Sequence, residues 1–327
     1  MVFVGIDVGG TKTRILVIDL GSGLATVTEG EGANPAVVGE SCPSIISRLL
    51  SRALREAGAS PSDVEIVGIG SAGVGKGYWR ELFEKGVAEA GVDPRKMELF
   101  EDFRTAYTSC FLSRPGIVAI SGTGSSIYGE CRGTEVRVGG WGHLLDDEGS
   151  AYQVGRDGMA AALRYYDGRG RQTALLDEML RYLDIDSPEL VVPRVYGSPN
   201  PKKVVAGFAP RVVAAAERGD SVASAVLEKY VDELARAIAA AYTRLREACG
   251  EGSDIGISIV GGFWRFVERL LRSEISRRLL ELVGSVDIVE RCVDPACGAL
   301  MRALIARGRG SDASRVRELC TEKGLLW

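Results

Sequence analysis

The stretch Phe3-Val4-Gly5-Ile6-Asp7-Val8-Gly9-Gly10-Thr11-Lys12-Thr13 constrains the fold more than any other part of the chain. An apolar strand delivers one carboxylate, Asp7, to the mouth of a turn whose small residues leave backbone N–H groups free to face an anion. Apolar and β-branched residues resume at once in Arg14-Ile15-Leu16-Val17-Ile18-Asp19, so the pattern reads strand, turn, strand. That excludes the dinucleotide fingerprint, which needs a helix after its glycines. A Gly-Gly turn also suits a plain hairpin. Taken alone, Asp7 is either the ligand of a phosphate-bound metal or a hairpin-capping aspartate.

The same design recurs about a third of the way along. Gly116–Ser121 is another apolar strand, Gly122-Thr123-Gly124-Ser125 another small-residue turn, and Ser126-Ile127-Tyr128-Gly129 another outgoing strand. Two such turns, each opening its own half of the chain, predict two domains of related design with a polyphosphate held between them.

Length agrees: 327 residues with 46% hydrophobic content suffice for two ordinary domains. A net charge of −4 and a pI of 5.4 give no basic footprint, so nucleic acid is not an expected partner. No apolar run reaches membrane-span length and no signal peptide precedes the first strand, so a cytoplasmic protein without a membrane partner is expected. The seven cysteines show no C-x-x-C spacing and His143 is the only histidine, which argues against a structural zinc site. The cysteines are expected to be buried small hydrophobes. Only two Asn and two Gln occur, a composition that suggests a thermophile, where intracellular disulfides are also found.

The expected order is α/β throughout. A third strand near Leu24–Glu29 precedes a helix capped by Ser41, with Ile45, Ile46, Leu49, Leu50, Ala53 and Leu54 on its apolar stripe. Strand Val64–Gly70, helix Trp79–Ala90, strand Met97–Phe100 and helix Arg104–Leu112 follow. The second half turns mainly helical after Gly139, with Asp220–Ala248 as a long core helix, Ile255–Val260 as a buried strand and the proline-rich Ser187–Pro201 as an irregular connection. Two helices from Asp294 close the chain and are candidates to pack back on the N-terminal domain. The domains are expected at 1–115 and 116–307, with the helix at about 308–327 packing back on the first.

Phosphoryl transfer asks for positioning, a metal on the phosphates and a base aimed at the attacking hydroxyl. Asp102 follows a strand and precedes a helix. It suits the helix N-cap, and a carboxylate at that end of a strand in an α/β domain also suits a general base. Gly139–Tyr152 concentrates four glycines, Trp141, His143, Asp146, Asp147 and Glu148, a density of hydrogen-bonding groups suited to a polyhydroxylated ligand and equally to an acidic helix start. His143 reads as structural, since no nucleophile motif accompanies it. Gly70–Gly77 fits G-x-x-x-x-G-K, yet Gly77 stands where a P-loop needs the metal-binding hydroxyl.

Taken in order, Asp7–Thr13, Ala33-Asn34-Pro35, Glu101-Asp102, Ser121–Ser125, Gly139–Tyr152 and Val260-Gly261-Gly262 resemble the N-acetylglucosamine kinase group of the BadF/BadG/BcrA/BcrD ATPase family, from residue 3 to about 305. The resemblance implies two ribonuclease-H-like, actin-like ATPase domains with an interdomain cleft, the second carrying a large helical insertion. It implies ATP held by Gly9, Gly10, Thr11, Lys12 and Thr13 on one side and Gly122, Thr123 and Gly124 on the other, with Ala206, Gly261 and Gly262 near the adenosine. It implies Mg²⁺ at Asp7, a sugar against Asn34, Ser71, Asp102, Ser125, Ser126, Gly140, Asp147 and Glu148, and Asp102 as catalytic base, with the attacking hydroxyl expected on C6. Some relatives carry Glu at the Asp7 position and Asn at the Ser126 position. A homodimer is common in such kinases. The alternatives are an ATPase activator subunit of a CoA-thioester reductase or dehydratase system, and a non-catalytic sugar or nucleotide sensor.

Overall fold

The computed structural model describes residues 1–74, 77–250, 253–284, 287–288 and 292–327. The chain forms two compact units, one of Met1–Gly116 with Val289–Trp327 and one of Ile117–Ile288.

In the first unit the strands β1 (Val2–Val8), β2 (Lys12–Asp19), β3 (Leu24–Glu31), β4 (Val64–Ser71) and β5 (Met97–Glu101) form one sheet in the order β3-β2-β1-β4-β5. The first three are an antiparallel meander, while β1, β4 and β5 run parallel. Period-2 patterning divides its faces. Val2, Val4, Ile6 and Val8 share a core with α2 (Cys42–Glu56) and α3 (Gly77–Glu89), which follow the short α1 (Pro35–Val38). Phe3, Leu16, Ile18 and Ile66 pack on the opposite side, where α12 (Pro295–Ala306) and α13 (Gly310–Glu322) lie, and α4 (Asp102–Phe111) packs against α12.

Gly5 and Gly68 are directly paired across β1 and β4. A Cβ on either would overlap a backbone carbonyl of α12, that of Ala296 or that of Ala299, so these two glycines let the helix lie on the sheet. Residues 292–307 therefore pack with the first unit, which agrees with the return of both closing helices and differs from the expected boundary at 307.

The second unit holds β6 (Gly116–Ser121), β7 (Ser125–Cys131), β8 (Thr134–Val138), β9 (Gly256–Val260) and β10 (Asp287–Ile288) in the order β10-β9-β6-β7-β8. Read from its third strand, this is the sequence 3-2-1-4-5 of the first sheet. The related design expected from the two hairpin turns is thus present in the strand topology. Its helices are α5 (Ala151–Tyr166), α6 (Leu175–Leu183), α7 (Val191–Tyr196), α8 (Pro201–Gly207), α9 (Ala209–Glu217), α10 (Ser221–Cys249) and α11 (Gly262–Val283). Tyr230, Leu234, Ile238 and Leu245 bury one stripe of α10, as its period predicts.

Three local expectations are corrected. Ser187–Pro201 is not irregular: it contains a 3₁₀ turn at Pro188–Leu190 and then α7, since prolines are tolerated in a first helical turn. Ser41 precedes α2 but makes no capping bond with its side chain, because the chain enters from the 3₁₀ turn Gly39–Ser41. The cysteines are more than small hydrophobes: Cys110–Cys292, Cys131–Cys249 and Cys297–Cys320 are disulfides, each within one unit, and Cys42 is free and buried. Among the described residues no helix is long and apolar enough to cross a membrane.

Candidate active site

Parallel pairing brings the expected residues of the first unit to one edge of its sheet. Asp7 pairs with Gly70 and Val8 with Ser71, while Ser71 pairs with Glu101, so Asp7, Ser71 and Asp102 stand together at the carboxyl ends of β1, β4 and β5. This is where ligands bind in α/β sheets. Asn34 joins them: its amide nitrogen donates to Ser71 Oγ at 3.4 Å and to the Ala72 carbonyl at 3.3 Å, while its Oδ1 caps α1 by accepting from Ala36 N at 2.9 Å.

The hairpin turn is fixed by Gly9 N donating to Lys12 O at 2.9 Å and by Asn34 N donating to Gly9 O at 3.3 Å. Thr11 projects into solvent beside the exposed Gly10 and Lys12. Thr13 does not: it is fully buried and its hydroxyl accepts from Ala33 N at 3.0 Å, so that hydroxyl is engaged inside the protein.

Asp102 is the first residue of α4 rather than its cap. Glu101 holds the cap position, and Asp102 Oδ1 accepts from Phe103 N at 2.9 Å within the first turn, where a carboxylate faces the positive end of the helix. Asp7 is surrounded by charge of both signs. Burial first, then the carboxylates of Asp102 and Asp294, push its pKa up to about 7, against the opposing pull of Arg14 and Lys12. Asp294 caps α12 through Ala296 N at 2.9 Å and holds the Arg14 guanidinium at 2.8 Å.

The second unit gathers its own set. Gly122 N donates to Gly124 O at 2.9 Å, and Ala151 N and Tyr152 N donate to the carbonyls of Gly122 and Thr123 at 2.9 and 3.2 Å, which docks this turn on the start of α5. Ser125 N donates to Asp147 Oδ1 at 3.2 Å, and Ser125 Oγ donates to the Glu148 carbonyl. Asp147 is buried with φ of +68°, a left-handed conformation rare outside glycine. Ser126 Oγ and Glu148 Oε2 are buried without a protein hydrogen-bond partner. Gly140 (φ +75°) faces Ser126: a Cβ there would lie 2.8 Å from its Oγ.

Gly261 leads into α11 with φ of +112°, and a Cβ on it would overlap the Ser121 carbonyl, whereas Gly262 is open. Ala206 is buried on α8, which packs against α5. His143 meets Tyr152 edge to face at 5.2 Å, a packing contact consistent with a structural histidine. Of the P-loop decoy, Gly75 and Lys76 lie outside the described residues.

Two site neighbours escaped the sequence reading. Asp294 carried a usable signal, the Asp-Pro helix start. Lys202, whose Nζ lies 2.7 Å from Asp147 Oδ2, carried none.

A model of the BadF/BadG/BcrA/BcrD ATPase family matches residues 4–303. The N-acetylmuramic acid/N-acetylglucosamine kinase of Clostridium acetobutylicum is 29% identical over 303 residues, covering 92% of this chain and 97% of that protein. The N-acetyl-D-glucosamine kinase of Dictyostelium discoideum is 27% identical over 320 residues, with 93% and 98% covered. The solved structure of a candidate N-acetylglucosamine kinase from Chromobacterium violaceum superposes with a TM-score of 0.70 at 24% identity, covering 92% of this chain and 98% of that one. That likeness gives the fold, a two-domain α/β architecture.

Proposed function

We propose that this chain, which belongs to the BadF/BadG/BcrA/BcrD ATPase family, is an ATP-dependent kinase of a hexose or N-acetylhexosamine. The observation that carries the reading is the convergence of Asp7, Ser71 and Asp102 at one sheet edge, with Asn34 bonded to the same edge. The named relatives, which are amino-sugar kinases, point to the substrate class.

In this reading the turn of the first unit offers the N–H groups of Gly10 and Thr11 and the exposed Thr11 hydroxyl to phosphate oxygens, and the turn of the second unit offers those of Thr123 and Gly124 and the exposed Thr123 hydroxyl. Asn34, Asp147 and the unpartnered Ser126 Oγ hold sugar hydroxyls. Asp102, in the first turn of α4, accepts the proton of the attacking hydroxyl. Sugar binding closes the site, excludes water and protects ATP from hydrolysis.

Asp7 fits a divalent cation. Its proton is held only because the ionised form is buried beside two other acids, and a cation relieves that repulsion. Mg²⁺ would be held at Asp7 together with water and phosphate oxygens. When bound, Mg²⁺ supplies charge neutralisation on the phosphates.

The test is ADP release over glucose, glucosamine, N-acetylglucosamine, mannose and N-acetylmannosamine. Release that depends on one of these sugars supports the kinase and names its substrate. Sugar-independent hydrolysis with bound iron would instead identify an activator subunit, and ligand binding without turnover a sensor.

A further inference from the structure

Lys202 lies in the first turn of α8, whose start is fixed by Pro201 and by the Asn200 cap on Lys203 N at 3.0 Å. Its ammonium is placed between two parts of the candidate site. It sits 2.7 Å from Asp147 Oδ2, and a Cβ on Gly124 would lie 2.9 Å from the same Nζ and 2.7 Å from Asp147 Oδ1. The charge therefore stands over the Gly122–Gly124 turn while neutralising the carboxylate beside it. Asp147 is 3% exposed, so its second oxygen depends on this cation, whereas the Lys202 side chain keeps 30% of its surface in solvent and has a flexible stem.

We propose that Lys202 is an exchangeable cation linking the nucleotide and sugar subsites. Without ligand it neutralises Asp147. When a nucleoside triphosphate occupies the Gly122–Gly124 turn, the ammonium swings to a phosphate oxygen and frees Asp147 Oδ2 to accept sugar hydroxyls. A phosphate oxygen and a carboxylate compete for the same point charge, and only a short reorientation separates them. Nucleotide thereby favours sugar binding, and by linkage sugar favours nucleotide to the same degree. This rests on the kinase reading above, but its test reads binding rather than turnover.

The experiment titrates a non-hydrolysable ATP analogue with Mg²⁺ into full-length protein by calorimetry, with and without the sugar identified by the ADP-release panel, or N-acetylglucosamine if none is turned over. K202M is expected to weaken analogue binding by about tenfold and to abolish the mutual tightening of analogue and sugar. K202R is expected to restore analogue binding. D147N, which removes the competing carboxylate, is expected to tighten the analogue, a sign that loss of a merely structural contact does not produce. Thermal melts check folding, and K202Q stands in for K202M should that variant not fold.

Analogue affinity within twofold of wild type in K202M and K202Q overturns the proposal, as does mutual tightening that survives in them. Wild-type protein that binds no nucleotide overturns both this inference and the kinase reading. Wild-type protein that shows the Lys202-dependent coupling but turns over no sugar retains the inference and rejects the kinase.

Discussion

Asp7 and Arg14 stand opposite each other across the β1–β2 hairpin, yet the Arg14 guanidinium is drawn to Asp294 at 2.8 Å and Glu29 at 3.0 Å. Arg14 thus favours the charged form of Asp7 only weakly. Burial and the neighbouring Asp102 and Asp294 outweigh it.

The pH dependence of stability follows from the direction of that shift. A carboxyl whose pKa is about 7 folded and 3.8 by ordinary chemistry binds its proton more tightly in the native state. Its contribution is fully present below about pH 4 and is lost as pH rises to about 7, a change on the order of 4 kcal/mol before allowing for the partly exposed edge of the residue. The D7N variant, which mimics the protonated form, should be more stable than wild type at pH 8 and nearly equal to it at pH 4. Urea unfolding at both pH values checks this, and a difference that does not change with pH would remove the assignment.

Asp102 should separate chemistry from nucleotide binding. D102N keeps a side chain of the same size in the first turn of α4 but no longer accepts a proton, so kcat should fall roughly 10²–10⁴-fold with the KM for ATP little changed. Steady-state ADP release measures both constants. Turnover retained in D102N would exclude the residue as base.

Thr11 and Thr13 should behave oppositely despite adjacent places in the motif. T13V leaves the buried Ala33 N–H without an acceptor and should lower stability by about 1–3 kcal/mol, read by urea unfolding. T11V alters an exposed hydroxyl and should leave stability unchanged while raising the KM for ATP.

The thiol inventory is a direct check on the disulfides. Protein denatured without reductant should titrate one thiol, that of Cys42, which burial pushes up to about 12 and makes unreactive in the native state. Replacing Cys131 and Cys249 by serine opens a crosslink with a sequence separation of 118. In the chain-entropy account this destabilises by on the order of 4–5 kcal/mol. Titration of all seven thiols would rule the crosslinks out.

Local patterns in the chain determined a good deal. The alternation of Phe3, Val4, Gly5 and Ile6, the two glycine turns and the stripe of α10 read correctly because strand and helix periods and turn chemistry act between near neighbours. The topology repeated in both sheets follows from those same hairpins, and the acids Asp7 and Asp102 were visible as strand-end carboxylates.

What tertiary structure decided is which distant residues meet. The return of α12 onto Gly5 and Gly68, the three cysteine pairs and the turn of Arg14 toward Asp294 involve partners with no fixed spacing along the chain. Thr13 looks like Thr11 in the motif, and only the fold turns its hydroxyl inward onto Ala33 N while that of Thr11 stays exposed. Lys202 reaches Asp147 because α8 packs on α5, a contact made by side-chain volume and helix placement, which no periodicity encodes.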